Sequence, residues 1–288
     1  MGNLRCSSNL LAGVPPGICS FIIGNLGPEY LWGYTMIEHL SYSSISAYLS
    51  CAASWQFKYI EHIKTPPAVE LSFGSAFHAT VEQFVGGEHK ADLIGLWADN
   101  WSKQIEKDST DFGIGSPNEY FNIGVRLFTD DNVRRGILSI RADKDTNGPK
   151  LERYVELRVP GVPIPVVGYI DIIAVDHVPC DFKTSARAWT SDKALNEVQP
   201  LFYLAALNQA GIETPDFRFR HYVFVKTKTP QFQAIEHTHN PAQLGWLFGM
   251  IRKVWEGIER EVFPENPTGW KCSPDYCEFW HLCRGRYE

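Results

Sequence analysis

Asp181 and Lys183 stand two residues apart in Cys180-Asp-Phe-Lys-Thr-Ser185, and Asp171 precedes them in Val166-Val-Gly-Tyr-Ile-Asp171. Both stretches read as β-branched, apolar strands, Val166 to Val175 and Cys180 to Ser185, with a turn at Asp176-His177-Val178-Pro179. Side chains alternate along a strand, so Asp181 and Lys183 point to one face, and a hairpin pairing brings Asp171 close to it. Two carboxylates in an apolar setting repel each other and are costly to desolvate unless something positive sits between them. A divalent metal with the Lys183 ammonium beside it answers that need. Taken alone, a D-x-K pair is so common that it reads far more often as an ordinary ion pair on a solvated strand. Its company decides.

The company sits on helices. Leu71 to Val85 reads as one, closed by Gly86-Gly87, and it carries His78 and Glu82 four apart on a shared face. A single helical histidine is more often structural. Here Gly74, Ser75 and Ala76 leave room for close backbone approach beside it. A second helix, about Lys193 to Gln209, carries Gln199 and Tyr203 on one face, and Pro200 implies a first-turn or kinked position.

In chain order the residues are His78-Ala-Thr-Val-Glu82, Gly168-Tyr-Ile-Asp171, Asp181-Phe-Lys183-Thr184 and Gln199-Pro-Leu-Phe-Tyr203. This series resembles the PD-(D/E)XK nuclease superfamily and, within it, the RecB-like exonuclease branch. The branch pattern is a helix with H-x-x-x-E, strands with G-x-x-D and D-x-K-T, and a helix with Q-x-x-x-Y. Cys180, in place of an apolar strand residue before Asp181, departs from it, and the preceding loop is short.

The resemblance implies an α/β, restriction-endonuclease-like core: a central mixed sheet of about five strands flanked by helices, over residues 36–288 as a single domain. It implies a hydrolase that cuts a phosphodiester, with Asp171, Asp181, Lys183 and Glu82 as the catalytic set. His78, Asp171, Asp181 and the Phe182 carbonyl would hold Mg²⁺ or Mn²⁺. Lys183 would orient the attacking water and stabilise developing negative charge. Glu82 would support the site or bind a second ion, and Gln199 and Tyr203 would place the DNA strand. As a metal ligand His78 must be unprotonated, so activity should fall as pH drops through its titration range. The expected role is that of an exonuclease on single-stranded DNA or DNA ends in recombination, repair or phage DNA metabolism. A CRISPR adaptation nuclease, or a non-catalytic DNA-binding or assembly module of the same fold, is the alternative. Partners would be DNA and other recombination, replication or CRISPR adaptation proteins, in the cytoplasm of the cell or of a phage host.

Seven cysteines, an odd count, argue against a disulfide framework. Cys272, Cys277 and Cys283 lie in a Pro- and aromatic-containing loop, where clustered thiolates need a neutralising metal. Zinc with a fourth cysteine or His281 would satisfy them. The resemblance implies instead a [4Fe–4S] staple, with Cys51 before the nuclease core joining the three after it. Proline usually follows the first cysteine in that arrangement; here Ala52 does. By itself, Cys51 reads as a small buried hydrophobe in a helix.

The rest of the chain bounds these readings. At 288 residues and 44% hydrophobic content the chain can bury a sizeable core. A net charge of −6 argues against a DNA-coating protein without excluding a local basic groove. No apolar run approaches a membrane span. Residues 1–35 read as a leader of doubtful structure, with Met36 as the expected true start. Helical pattern runs from Ser43 to Tyr59, with Ser43 or Ser44 as cap. Residues 88–143 read as a helical insertion over the active face, with helices at Lys90 to Lys107 and Asn118 to Arg141. Trp97, Trp101, Tyr120 and Phe121 read as core. Strands are expected at Leu151 to Val159, Phe217 to Lys226 and Gln231 to Thr238, and a last helix from Pro241 to Glu261. Glu156 could join the acidic cluster but reads better as an edge carboxylate. Arg218 and Arg220 could face phosphate or simply line a charged outer face.

Overall fold

Short polar side chains open most of the helices in the computed structural model, which describes residues 37–113 and 115–287. The leader, with Cys6 and Cys19, and the start at Met36 lie outside the described residues. After β1 (Leu40–Ser41), the Ser41 hydroxyl accepts the Ser44 N–H while the Ser44 hydroxyl accepts the Ser41 N–H. This reciprocal cap starts α1 (Tyr42–Ser50) two to three residues before the expected one. The helix then breaks at Cys51, whose backbone is extended, and resumes as α2 (Ala52–Tyr59).

Next come α3 (Val69–Gly86), α4 (Leu93–Asp108), α5 (Pro117–Thr129) and α6 (Asp131–Ser139). One helix was expected over 118–141. Asp130 divides it: its backbone is extended and its carboxylate accepts the N–H groups of Asn132 and Val133, so it caps a new helix. A small hairpin, β2 (Lys144–Asp145) and β3 (Gly148–Pro149), leads to β4 (Leu151–Leu157), β5 (Val166–Ile173) and β6 (Pro179–Ser185). Then follow α7 (Ser191–Leu195), α8 (Gln199–Gln209), β7 (Arg218–Val225), β8 (Gln231–Thr238) and α9 (Gln243–Glu259). The expected helix from Lys193 to Gln209 is thus two helices, with Pro200 in the first turn of the second.

The main sheet is mixed and six-stranded, one strand more than expected: β1-β5-β6-β7-β8, with β4 on the other edge of β5. β1–β5 and β6–β7 are parallel, and the remaining pairs are antiparallel. Helices cover both faces. On one, Phe77 of α3 stacks on Phe128 and lies 4.8 Å from Phe224, with Phe182, Trp97 and Trp101 in the same core. Each such buried aromatic contributes about 1.5–3 kcal/mol. Residues 88–143, expected over the active face, instead build this core, on the side of Phe182 and away from Asp181 and Lys183. On the other face, α1, α2, α8 and α9 close over Val166 and Leu157.

Candidate active site

β5 is paired differently at its two ends, and the site lies between. Along one edge it pairs with β4. Along the other, Val166 and Val167 pair with β1, while Ile172 and Ile173 pair with Cys180 and Pro179 of β6. Gly168 to Asp171 fall in the gap, where β6 diverges. Alternation also fails here: Ile170 packs with Tyr203 and Leu204, whereas Ile172 packs with Phe182 on the opposite face. Opposite Asp171 in the β4 register stands Glu152, with a φ of 43°. This irregularity turns Asp171 into the fork, where its Oδ2 accepts the Phe182 N–H at 2.6 Å.

His78 and Glu82 enter from α3. The Nδ1 of His78 lies 3.5 Å from Asp171 Oδ2. His78, Glu82 and Asp171 each offer a ligand atom within 4.8 Å of the other two. Asp181 is outside that trio. It faces Lys183, whose Nζ is 2.7 Å from Asp181 Oδ2 and 2.8 Å from Gln199 Oε1. Gln199 in turn donates to the Tyr203 hydroxyl at 2.8 Å. A rail of polar contacts thus runs Asp181–Lys183–Gln199–Tyr203 along the face expected from strand alternation. Gly168 lets the rail close up, because a Cβ there would meet Tyr203 Cε1 at 3.0 Å.

The electrostatics follow from this crowding. Burial, then the Asp181 charge, holds Asp171 well above the usual carboxylate range, against the pull of the Phe182 N–H. Burial, with Glu152 beside it, pushes Glu82 up to about 7. Burial lowers His78 to about 4, outweighing Asp181. Burial disfavours the Lys183 ammonium, but Asp181 outweighs it and holds it charged. Asp181 is 2% exposed, and its Oδ2 lacks a hydrogen-bond partner among the described residues, since the close Lys183 contact is poorly directed. Asp181 and Asp171 therefore share the Lys183 ammonium, and a buried Asp181 oxygen is left over. The donor set, one imidazole with hard oxygens, fits a divalent cation.

Several neighbours were not legible beforehand. Glu152 joins Glu82, while Glu156, the carboxylate singled out on that strand, pairs with Arg158 at the edge. Tyr42, whose phenol is raised by burial and Glu197, lies within the field of Lys183 and Asp181. His221 pairs in register with Asp181, is 1% exposed, and has neither ring nitrogen bonded among the described residues. Its place within an alternating strand was the only signal. Arg218 and Arg220 face Glu236 and Asp176 as ion pairs, the charged-outer-face reading.

The four thiols converge. Tyr48 donates to the Val262 carbonyl at 2.6 Å, Asn266 donates to the Ser50 carbonyl at 2.8 Å, and Phe57 packs on Phe279. These contacts bring Cys51 to the loop of Cys272, Cys277 and Cys283. Burial raises the Cys277 and Cys283 thiols, and the neighbouring cysteines add to it.

Among the described residues no helix is long and apolar enough to cross a membrane. No curated protein matches the chain. A solved structure titled "Putative exonuclease", from Eubacterium rectale, is similar in fold, with a TM-score of 0.55 and 14% identity over 86% of this chain and 88% of that one. The family model for the PD-(D/E)XK nuclease superfamily matches residues 39–284. With the fork, the carboxylates and Lys183 all inside that span, the chain belongs to the PD-(D/E)XK nuclease superfamily.

Proposed function

We propose that this chain is a divalent-metal-dependent deoxyribonuclease of the RecB-like exonuclease branch, acting on single-stranded DNA or DNA ends in recombination, repair or phage DNA metabolism. Its superfamily supports phosphodiester hydrolysis with DNA as substrate, and members generally use Mg²⁺ or Mn²⁺. The observation that carries the reading is the gathering of His78, Glu82 and Asp171 beside the Asp181–Lys183 pair in the strand fork.

His78, Glu82 and Asp171, with Asp181 and the Phe182 carbonyl next to them, would hold the cation. When bound, it supplies Lewis-acid polarisation of the phosphoryl group and a more acidic water. Lys183, held charged by Asp181 and aimed by Gln199, stabilises negative charge building on the phosphate oxygens. Tyr203 and Gln199 orient the strand. Burial, with Glu152 beside it, keeps Glu82 poised near neutrality, where it can exchange a proton.

The four thiols would hold a [4Fe–4S] cluster that ties α1 and α2 to the C-terminal segment. Cys51 and Cys272 lie near enough to Cys277 and Cys283 to raise their thiols further, which supports a metal group shared by the four.

End-labelled single- and double-stranded DNA incubated with pure protein, with and without Mn²⁺, tests the reading. Shortening from one end only with the metal is the expected result. Intact strands under every condition would leave a DNA-binding module of the same fold.

A further inference from the structure

At the far end of the Lys183–Gln199–Tyr203 rail lies a cleft of about 230 Å³. Its walls are the α1 entry with Ser41 and Tyr42, the strands β4 and β5 around Val155 and Gly168, and α8 with Phe202 and Tyr203. Gln199 belongs both to the wall and to the rail, so the cleft begins one side chain from the Lys183 ammonium. Tyr42 meets Phe202 edge to face at 5.3 Å, and Tyr203 is drawn against the backbone at Gly168.

Three properties define an occupant. The volume is below the about 300 Å³ at which pockets for drug-sized ligands begin, so one ring system enters and a base pair does not. The lining joins aromatic rings to a few polar groups: the Tyr203 hydroxyl, the Gln199 amide, and the Ser41 and Ser43 hydroxyls 2.9 Å apart. Unpaired bases are recognised in this way, by aromatic contact and hydrogen bonds to their exposed edges. The cleft also shares Gln199 with the Lys183 contact, where the adjoining phosphate would lie.

We propose that the cleft seats one unpaired deoxynucleoside, flanking the phosphate at Lys183, and so makes the chain select unpaired strands over closed duplex. This rests on the nuclease reading for the position of the phosphate, but its test reads binding and not cleavage. Val155 stands on the cleft wall outside the polar rail, and Val155→Phe would fill the space.

The experiment uses the full chain carrying Asp181→Asn, so that strands stay intact. The affinities of a labelled short oligothymidylate and of a blunt duplex are measured with and without Val155→Phe, together with competition by thymidine 5′-monophosphate. The parent should bind the single strand about tenfold or more tighter than the duplex. Val155→Phe should weaken only the single strand, by a similar factor, and the mononucleotide should compete on the parent. Equal affinity for strand and duplex, an unchanged strand affinity in Val155→Phe, or no competition would overturn the proposal. If Val155→Phe does not fold, the mononucleotide competition and the strand-to-duplex ratio on the parent decide alone. Cleavage by the unsubstituted chain is scored separately: cleft-dependent binding without cleavage sinks the nuclease reading, and cleavage without cleft-dependent binding sinks this one.

Discussion

Asp171 accepts the backbone N–H of Phe182 at 2.6 Å, so a side chain bridges two strands where their ladder has stopped. The bond holds the fork open at a fixed width. The same Asp171 oxygen lies 3.5 Å from His78 Nδ1, and the Phe182 backbone is also beside His78. The geometry of the proposed metal site thus depends on a local failure of β-pairing.

Asp181→Ala and Lys183→Ala should each lower metal-dependent DNA cleavage by at least about a hundredfold while the far-ultraviolet circular dichroism stays unchanged. The Lys183 ammonium is in direct contact with the buried Asp181, and Asp181 holds it charged. Wild-type digestion by either pure variant would remove both residues from the reaction.

The acid limb of the pH profile should belong to Glu82 and not to His78. His78, lowered to about 4, is already neutral through the physiological range, whereas Glu82 titrates near 7. A cation competes with the Glu82 proton, so Mn²⁺ affinity should fall as pH drops below about 7 and change little above it. Titration calorimetry in two buffers should detect proton release on binding at pH 6. In the metal-free chain the unfolded state loses this proton first, near 4.5, so the Glu82 contribution to stability falls as pH rises from 4.5 to about 7. His78 acts oppositely, contributing stability that is lost as pH falls from 6.5 to about 4. The difference in melting temperature between Glu82→Gln and wild type isolates the first effect and should grow in the variant's favour across that window.

Protein purified without oxygen should be brown, and Cys277→Ser should be colourless and less stable. Cys51 lies over two hundred residues before Cys272, so a shared cluster closes almost the whole described chain into one loop. By the relation for a covalent cross-link, that is worth about 5 kcal/mol. Colourless anaerobic protein with about one zinc per chain would assign the thiols to zinc instead.

Gly136→Ala should destabilise the chain by about 1–3 kcal/mol without touching the site. A Cβ there would run into the ring of Phe232, across which α6 packs on β8. A drop of several degrees in melting temperature is expected, with the affinity for Mn²⁺ retained. An unshifted melting curve would mean that the ring yields freely.

Where the candidate site depended on spacing within one element, its geometry could be read from the residues alone. Asp181 and Lys183 share a face because side chains alternate along a strand, and His78 and Glu82 share one because a helix turns in 3.6 residues. These are properties of the local backbone. The cysteines after the core were legible as a group for the same reason. Tertiary structure decided what separate elements do to one another. Glu152 reaches Glu82 only because β4 is irregular opposite Asp171. Tyr42 comes near Lys183 only because β1 pairs with the start of β5 and carries α1 over the cleft. Cys51 meets the other thiols through hydrogen bonds more than two hundred residues apart in sequence. Each of these depends on strand register and helix docking, which are set by the packing of the whole core and leave no mark in any local spacing.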